Sequence, residues 1–293
     1  MGNKIYSVVV TFSPDLEQLK KLLVQLEKKT DYLILCNNSD DELPRAVYLD
    51  IKNVNVLDFK KNVGIAKAQS IGMQWAFSHG ADFVLQMDQD SVPDEDMVEE
   101  LLICYRELSE NNIKVGLVGS QDFDKYTGEK NKARVRKGNP ILKDEYVDVS
   151  CTLSSGSLIP KLAYDVVGGM YDELFIDAVD HEYCWRLKKH GFKVIRNKRA
   201  LLGHRLGDGK YRLLPGVHVG LPSPFRHYYA VRNIFILLRH SYVPLYWKVS
   251  SLCKLMLKLL LYPILMPNGK ERLYFISKGI KDGILNKTGK FQK

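Results

Sequence analysis

The chain has 293 residues, of which 45% are hydrophobic and 26% are charged, a balance typical of a soluble globular protein with a substantial core. No apolar stretch reaches the roughly 18 residues that a membrane-spanning helix requires, and the short apolar N-terminus fits a first strand better than a signal peptide. The five cysteines are scattered and form no Cys-x-x-Cys pair, which argues against a disulfide framework or a zinc site and favours a reducing, cytoplasmic setting.

The net charge of +9 is concentrated at the end of the chain. Residues 241–293 contain ten lysines and arginines against only Glu271 and Asp282, which leaves +8 there and +1 for the first 240 residues. Because the main part of the chain is nearly neutral and carries no recognition motif, we do not expect a nucleic-acid partner. The basic segment predicts a different anionic partner.

Hydrophobic periodicity predicts alternating strands and helices over the first 120 residues. Short apolar runs that stop at polar turns indicate strands, and leucines at helical spacing, such as Leu19, Leu22 and Leu26, indicate helices. This alternation predicts an α/β fold with a largely parallel central sheet and right-handed crossovers. The predicted strands cover residues 5–12, 32–36, 54–59 and 115–119 and a run ending at Asp88, and the predicted helices begin near residues 16, 65 and 94.

The second half of the chain is less regular. Residues 121–145 are charged and weakly patterned, which indicates an exposed loop or hairpin, and residues 203–224 are rich in Gly and Pro, which suits a loop over a site. We expect a main domain over residues 1–240 and a basic helical extension over residues 241–293. Further predicted elements are helices over residues 161–167, 178–190, 225–240 and 245–261, the last interrupted by Pro263 and Pro267, and a strand over residues 192–196.

Two aspartates one residue apart, Asp88 and Asp90, follow the apolar run that contains Phe83 and Met87. Acidic residues in this position would lie in the crevice at the strand ends, where α/β proteins bind ligands. Their carboxylates could hold Mg²⁺ or Mn²⁺, hard cations that also bind diphosphate oxygens. Asp-x-Asp is common by chance, and the alternative is that Asp88 is a turn residue and Asp90 caps a helix that starts near Pro93.

Several segments occur in an order that resembles the family 2 glycosyltransferases, which are inverting enzymes of the GT-A fold. They are T-F after the first strand, N-N-S after the second, N-V-G-I-A at a helix start, M-D-Q-D-S, S-S-G-S and F-I-D-A-V-D-H-E-Y-C-W-R. The last of these, together with G-H-R-L-G and F-R-H-Y-Y-A-V-R-N, resembles bacterial rhamnosyltransferases that build cell-surface polysaccharides. The resemblance covers about residues 5–240. It implies a Rossmann-like nucleotide-diphospho-sugar transferase that moves a sugar, with dTDP-L-rhamnose the favoured donor, to a hydroxyl of a saccharide or lipid-linked saccharide.

The resemblance implies nucleotide-binding roles at adjacent strand ends and at one helix start. Asn37-Asn38 could instead be a plain turn, and many relatives have Asp where this chain has Asn38. Free N–H groups at a helix start favour phosphate, although Asn62 could instead be an ordinary N-cap. The residues concerned are Thr11, Phe12, Asn37, Asn38, Asn62, Gly64 and Asp88.

The family context also implies a divalent metal, Mg²⁺ or Mn²⁺, that would neutralise the departing diphosphate. Asp90 would be its main ligand, and Asp88 would face the ribose or reach the metal through a water. His204 would approach the metal or the diphosphate from the closing loop, although a lone histidine is usually structural.

Asp180 is the candidate general base for the acceptor hydroxyl, since it falls where the family's catalytic acidic residue falls. The alternative is helix capping, with Asp177 at the N-cap and Asp180 in the first turn. Trp185 could stack on sugar, although such a residue is more often part of the core. The candidates for acceptor contact or for support around the site are Ser155, Gly156, Asp177, Trp185 and Arg226.

The extension combines leucines at helical spacing with Lys248, Lys254 and Lys258. Such a helix suits the interface of an anionic leaflet, which predicts a peripheral location at the inner face of the cell membrane. A helix packed on the main domain and a homodimer contact are the alternatives.

Other functions fit the sequence less well. A nucleotide-sugar pyrophosphorylase typically shows a Gly-rich basic loop where this chain has Ser13-Pro14-Asp15. A non-catalytic scaffold on the same fold would not need Asp88, Asp90 and Asp180 together. The same fold with another donor, such as a UDP-hexose or UDP-galactofuranose, is the main alternative to rhamnose transfer.

Overall fold

The computed structural model describes residues 3–124, 128, 138–204, 210–214, 217–220 and 222–292. The strands are β1 (Ile5–Thr11), β2 (Tyr32–Asn37), β3 (Val54–Asp58), β4 (Phe83–Asp88), β5 (Val92–Pro93), β6 (Val115–Asp124), β7 (Asn139–Ile141), β8 (Lys143–Asp148), β9 (Ser157–Pro160), β10 (Lys193–His204), β11 (Lys210–Leu214) and β12 (Val217–Gly220). The helices are α1 (Leu16–Glu27), α2 (Ile65–Ser78), α3 (Met97–Glu110), α4 (Lys161–Val167), α5 (Val179–Lys189), α6 (Arg226–Leu238), α7 (Leu245–Leu265) and α8 (Gly269–Ile284).

Within the described residues, one large sheet has the strand order β3-β2-β1-β4-β9-β6-β10-β8-β7, with β5 paired to β10. The strands β3, β2, β1 and β4 are parallel, as are β6 and β10. Strand β9 is inserted antiparallel between β4 and β6. The predicted α/β fold with a largely parallel core is therefore confirmed, whereas the antiparallel insertion was not predicted.

Helices cover both faces of this sheet, as a parallel core requires. On one face, the leucines of α1 at positions 19, 22, 23 and 26 are fully buried together with the apolar side of α3. Asp15 caps α1 by accepting hydrogen bonds from the amides of Glu17 and Gln18, both at 3.0 Å. On the other face, Gly72 lets α2 lie directly on the sheet, because a Cβ atom at this position would be 2.4 Å from Cγ1 of Val8.

The strand register brings polar residues to one edge of the sheet. Thr11 pairs with Asn37, Asn37 with Asp58, and Val10 with Asp88. All of these residues lie at or beside the carboxyl ends of parallel strands, the edge at which open α/β sheets bind ligands.

The three C-terminal helices differ from the prediction in two ways. Helix α7 continues through Pro263 and ends at Leu265, so the prediction that this proline interrupts the helix is wrong. Helix α8 was not predicted, because its apolar positions are mixed with charged ones. It lies against α6, where a Cβ atom on Gly279 would be 2.7 Å from the carbonyl oxygen of Tyr228 and the Tyr228 hydroxyl donates to Asp282 at 3.0 Å.

Two predicted loops are described only in part. Parts of both segments lie outside the described residues. They are residues 125–127 and 129–137 of the charged segment, and residues 205–209, 215, 216 and 221 of the Gly- and Pro-rich segment. The described parts of the two segments show that β6 and β10 extend beyond their predicted ends, to Asp124 and His204.

A buried ion pair anchors α5 to its surroundings. Glu182 is completely buried, and Arg186 donates to its two carboxylate oxygens at 2.7 and 2.9 Å. The hydroxyl of Tyr242 donates to the same carboxylate at 2.7 Å. Arg186 also donates to the carbonyl oxygen of Gly169 at 2.8 Å, so the pair joins α5 to the segment after α4.

We expect Glu182→Ala to lower the free energy of unfolding by about 3–5 kcal/mol, since it leaves the Arg186 guanidinium without its partner in a largely buried position. Denaturant titration measures this loss. Glu17→Ala removes the same kind of i, i+4 pair, with Lys21, from the exposed side of α1 and should cause no measurable loss. Equal losses in the two variants would contradict an anchoring role for Glu182.

Candidate active site

The aspartate pair lies at the carboxyl edge of the sheet. Asp88 is the last residue of β4, and Asp90 lies in the turn that follows. The next helix begins at Met97 and has Asp96 at its N-cap, which excludes Asp90 as the cap of that helix. The structural alternative for Asp90 is therefore wrong, because the turn and the short strand β5 separate Asp90 from α3.

Asp88 shares its electrostatic environment with three other predicted site residues. Burial raises the pKa of Asp88 to about 6, His204 acts to lower it, and the carboxylates of Asp90 and Asp180 raise it. These groups come from the end of β4, the end of β10 and the first turn of α5. The fold thus brings together Asp88, Asp90 and Asp180, called here the acidic cluster, with His204 beside it.

A chain of hydroxyl groups supports this edge. The Ser155 hydroxyl accepts a hydrogen bond from the amide of Asp88 at 3.0 Å and lies 2.9 Å from the Ser91 hydroxyl. Ser91 in turn lies 3.3 Å from Nδ1 of His204. Gly156 allows the close approach of β6, since a Cβ atom on it would be 2.3 Å from Oγ of Ser120. Ser155 and Gly156 therefore support the cluster, and Ser91 is a supporting residue that the sequence did not single out.

The acidic cluster offers oxygen donors of the type that Mg²⁺ and Mn²⁺ bind. In the part of the chain that the structure describes, no three His, Cys, Asp or Glu side chains are arranged as a complete metal site. Mg²⁺ usually binds proteins through one or two carboxylates and completes its shell with substrate phosphates and water. The residues present therefore fit a metal that arrives with a diphosphate. Arg205, next to His204, lies outside the described residues.

Phe12 projects from the same edge, with half of its surface exposed. Its main chain is held on both sides by Gln89, whose Oε1 accepts from the Phe12 amide at 2.7 Å and whose Nε2 donates to the Phe12 carbonyl at 3.1 Å. Gln89 was not predicted as a site residue, although it lies between the two aspartates of the motif. It fixes the position of an exposed aromatic ring beside the acidic cluster.

Thr11 and Asn37 are buried beneath this edge. The Thr11 hydroxyl donates to Oδ1 of Asn37 at 3.4 Å. The Asn37 amide group donates to the carbonyl of Asp41 at 2.7 Å and to Asp58 at 3.2 Å. These side chains form their hydrogen bonds with one another and with the turn after β2. They therefore support the main chain at this edge of the sheet.

Asn38 and Asn62 shape the turn that leads into α2. Oδ1 of Asn38 accepts from the amide of Val63 at 2.7 Å, and its Nδ2 donates to Asn62 at 3.2 Å. Oδ1 of Asn62 also accepts from the amide of Gly64 at 2.9 Å. The N-cap of α2 is Gly64, with φ of 87°, so the alternative that Asn62 is the N-cap is wrong.

The start of α2 is covered by protein. The Ala66 amide donates to the carbonyl of Phe175 at 3.3 Å, and a Cβ atom on Gly64 would be 2.5 Å from the Phe175 ring. In this geometry Gly64 is required for its left-handed conformation and for the approach of Phe175. The described contacts therefore give Gly64 a packing role.

Residues 175–178, which lead into α5, have an unusual main chain. Phe175, Asp177 and Ala178 have φ values of 64°, 68° and 62°, which are costly for residues other than glycine. Nδ2 of Asn233 donates to the carbonyls of Ile176 and Asp177 at 2.7 and 2.9 Å. Buried side chains of α6 thus hold the strained segment that places the first turn of α5.

Asp177 is not a helix cap. Helix α5 begins at Val179 with Ala178 at its N-cap and no side-chain capping bond, so the capping alternative for Asp177 is wrong. The Asp177 carboxylate instead accepts two hydrogen bonds from Arg226, at 3.0 and 3.1 Å. This pair joins the strained segment to the first turn of α6.

Asp180 is paired with the next residue, His181. Its Oδ1 accepts from the His181 amide at 2.9 Å and lies 3.0 Å from Nδ1 of the imidazole. Trp185 is buried behind this pair, with its ring 5.6 Å from the His181 ring, and is therefore part of the core. His181 was not predicted as a site residue, because its contact with Asp180 depends on rotamers that a sequence does not show.

The pKa of His181 is raised by its neighbours. Burial acts to lower its pKa, but the charge and hydrogen bond of Asp180, together with the Cys151 thiol, raise the pKa well above 6.5. The contact therefore joins the imidazole to a carboxylate of the acidic cluster through charge as well as through the hydrogen-bond geometry.

We expect the His181 resonance in an NMR titration to show a pKa above the usual 6.5, and Asp180→Asn to lower that pKa because the ion pair is lost. The exposed His190 serves as an internal control and should not respond. Because the folded-state pKa is raised, the pair stabilises the fold at low pH, and this contribution is lost as pH rises through that pKa. An unchanged His181 pKa in the variant would contradict the ion pair.

Comparison with known proteins shows the family and the fold of this chain. Residues 14–152 match the model of a family described as glycosyl transferase family 2. Over 300 aligned residues, the chain is 31% identical to the dTDP-rhamnosyl transferase RfbF of Shigella flexneri, with 99% of this chain and 98% of that protein covered.

Solved structures show the same fold at low identity. TarS 1–349 of S. aureus in complex with UDP-GlcNAc matches with a TM-score of 0.55 and 13% identity, covering 96% of this chain and 90% of that one. GalNAc-T7 with UDP, GalNAc and Mn²⁺ matches with a TM-score of 0.55 and 15% identity, covering 97% of this chain and 56% of that one. With the full-length similarity to RfbF, these findings confirm the predicted GT-A fold and enzyme class: the chain belongs to the family 2 glycosyltransferases.

Proposed function

We propose that this enzyme transfers L-rhamnose from dTDP-L-rhamnose to a hydroxyl group of a growing cell-surface saccharide, with inversion at the anomeric carbon. The observation that carries the chemistry is the convergence of Asp88, Asp90, Asp180 and His204 at the carboxyl edge of the sheet. The donor is inferred from the similarity to a dTDP-rhamnosyl transferase over the full length of both chains. A UDP-hexose or UDP-galactofuranose donor on the same fold is the alternative.

The donor would lie across the ends of β1, β2 and β4. The exposed Phe12 ring, held by Gln89, offers a surface on which the base can stack. Thr11, Asn37 and Asn38 would define the floor of the nucleoside site through the main chain that they hold, since their side chains are bonded to protein groups.

Asp90 and Asp88 would hold Mg²⁺ or Mn²⁺ together with the donor diphosphate, and His204 would face the same group. When bound, the metal supplies Lewis-acid neutralisation of the charge that develops on the leaving diphosphate. Its identity is not specified by two carboxylates and an imidazole, which suit either ion. The hydroxyl chain through Ser155 and Ser91 would keep Asp88 and His204 in place.

Asp180 would act as the general base. It takes the proton of the acceptor hydroxyl while that oxygen forms a bond to the anomeric carbon, and the bond from this carbon to the diphosphate oxygen breaks with its electron pair leaving on dTDP. Attack from the face opposite the diphosphate gives inversion. His181 orients the Asp180 carboxylate through its contact with Oδ1. Because the protein provides a separate acid–base group on the acceptor side, no covalent sugar intermediate is required.

Helix α7 presents an exposed stripe that supports the predicted membrane contact. In the described residues no helix is long and apolar enough to cross a membrane. Exposed side chains nevertheless recur along one side of α7, called here the apolar face, which consists of Leu245, Val249, Leu252, Met256, Leu260 and Ile264. With a net charge of +8 after residue 240, this face suits the interface of an anionic leaflet. We infer a peripheral location at the inner face of the cell membrane.

The donor and the base are tested together by nucleotide release over a panel of nucleotide sugars. We expect dTDP-rhamnose to be turned over in preference to UDP-hexoses. We expect Asp180→Asn to lower transfer by roughly 10²–10⁴-fold while dTDP still binds, because the proton acceptor is removed and the donor site is unchanged. Asp177→Asn is the matched control and should retain more activity. Normal transfer by Asp180→Asn with loss in Asp177→Asn would show that the wrong carboxylate is proposed.

The metal is tested by thermal unfolding with dTDP in the presence of Mn²⁺. Ligands that bind only the folded state raise its melting temperature, so wild type should be stabilised by the combination more than by dTDP alone. Asp90→Asn should lose this increment, whereas Asp94→Asn, an exposed carboxylate just after the same turn, should keep it. An undiminished Mn²⁺ increment in Asp90→Asn would overturn the assignment.

The membrane contact is tested by flotation with vesicles containing phosphatidylglycerol. Deleting the extension would expose the α6 surface that α8 covers, so point variants are preferable. A triple variant with Val249, Met256 and Leu260 changed to Ser should lose flotation, since these apolar groups would no longer enter the interface. A control with the equally exposed Leu49, Leu142 and Leu162 changed to Ser should float like wild type. Flotation of both would contradict the role of the apolar face, as would a dimer that only the first variant disrupts.

A further inference from the structure

A cavity of about 240 Å³ lies between the strained segment, α6 and α7. Asp177 and His181 line it beside the first turn of α5, Val231 and Trp247 contribute apolar surface, and Lys254 and Lys258 lie on its α7 side. The two lysines are four residues apart on the helix and therefore share one side of it. The cavity combines an apolar wall with two adjacent ammonium groups, and we call it the lysine cavity.

The positive charge in the lysine cavity is not balanced by the protein. Among the described residues neither Lys254 nor Lys258 has a salt bridge or hydrogen bond in the structure, and Lys258 has only the ring of Tyr262 at 5.9 Å. The nearby carboxylate of Asp177 is already bound twice by Arg226. Burial acts to lower the pKa of Lys258, Asp177 raises it, and Lys254 lowers it, which agrees with two cations that lack an anion of their own.

The lysine cavity adjoins the proposed base. His181 lines the cavity, and its Nδ1 lies 3.0 Å from Oδ1 of Asp180. A molecule bound there would be separated from the general base by one side chain. The donor site lies elsewhere, at the ends of β1, β2 and β4, so the lysines are not required for the donor diphosphate.

The lysine cavity lies on the side of α7 that packs on the protein, where Trp247, Ser251 and Leu255 line it, and the exposed apolar face lies on the other side of the helix. A lipid-linked acceptor that enters the cavity would present its phosphate to the lysines and its sugar to Asp180. The apolar wall at Val231 and Trp247 suits the first carbons of the lipid chain.

We propose that the lysine cavity is an acceptor subsite that binds the phosphate or diphosphate of a lipid-linked saccharide, with Lys254 and Lys258 as its anion-binding residues. This inference rests on the proposed function, because it assumes that Asp180 serves an acceptor hydroxyl. It assigns the acceptor to the class of glycosyl phospholipids or glycosyl diphospholipids and distinguishes it from a neutral glycan.

The subsite is tested in the full chain by the binding of geranyl diphosphate, a soluble lipid diphosphate without sugar, with geraniol as the uncharged probe. We expect wild type to bind geranyl diphosphate and to bind geraniol much more weakly. Changing both Lys254 and Lys258 to Ala should weaken geranyl diphosphate binding by at least about 10-fold, because two charge-assisted contacts are lost. Changing both to Arg should largely restore binding.

The matched control replaces Lys270 and Lys281 by Ala. Both are exposed, and the change removes the same charge from the same extension without altering the cavity. It should bind geranyl diphosphate like wild type. Equal weakening in the two double variants, or no binding by wild type, would overturn the proposal.

Two further measurements, vesicle flotation and dTDP binding, complete the test. The first distinguishes a lipid-linked acceptor from bilayer headgroups as the source of the phosphate, and the second distinguishes failure of the subsite from failure of the donor proposal. The lysines could instead bind the headgroups of the bilayer. In that case the Lys254 and Lys258 variant should lose flotation on phosphatidylglycerol vesicles more than the control, and geranyl diphosphate should not compete with the vesicles for the wild-type protein. This result would overturn the subsite. Equal flotation of the two variants supports it. Binding of dTDP with Mn²⁺ should persist in both variants. If the wild-type protein does not bind dTDP with Mn²⁺, the donor proposal is refuted, whereas the geranyl diphosphate result is unaffected.

Discussion

The amide group of Asn233 donates to the carbonyls of Leu174, Ile176 and Asp177, and the position of the proposed base depends on these bonds. The segment that they hold contains three residues with positive φ, a conformation that would not persist without such support. Arg232 adds a hydrogen bond to the carbonyl of Leu174 at 2.8 Å. Because Asn233 and Arg232 are fully buried, α6 is fixed to the segment that leads into α5.

Through this constraint the C-terminal helices support the segment that carries the proposed base. Helix α6 fixes the segment before α5, and α8 covers the opposite side of α6 through the close approach of Gly279 and Gly283. Helix α7 then lies beside the first turn of α5, where its lysines and Trp247 form the outer side of a cavity. The basic segment identified from charge alone therefore contributes buried contacts as well as an exposed apolar face.

The charges of the site form a balanced set around the proposed reaction. Burial, and to a smaller extent the carboxylates of Asp90 and Asp180, raise the pKa of Asp88, whereas His204 acts to lower it. Asp180 in turn raises the pKa of His181. A divalent cation would offset the negative charge on the donor side. In the proposed mechanism, His181 orients Asp180 on the acceptor side, and Asp88 and Asp90 face the donor.

Much of the fold could be predicted from sequence, because local signals agreed with the tertiary structure. Helix α2 begins at Ile65, as predicted, directly after the Gly64 turn. Strand β9 was missed because four residues inserted antiparallel between distant strands carry little periodic signal. The acidic cluster could be predicted from motif order, whereas His181, Gln89 and the lysine cavity could not, since each depends on which side chains meet after α5, β1 and α7 pack.

In the proposed mechanism, the donor diphosphate and its metal lie at Asp88 and Asp90, with Asp180 on the acceptor side. Anomalous diffraction from crystals of the enzyme with dTDP and Mn²⁺ tests this placement most directly. We expect one strong manganese peak in contact with the Asp90 carboxylate and the diphosphate oxygens, with Asp180 outside the coordination shell. A peak bound by Asp180, or a diphosphate seated on Lys254 and Lys258 with no manganese at Asp90, would contradict it.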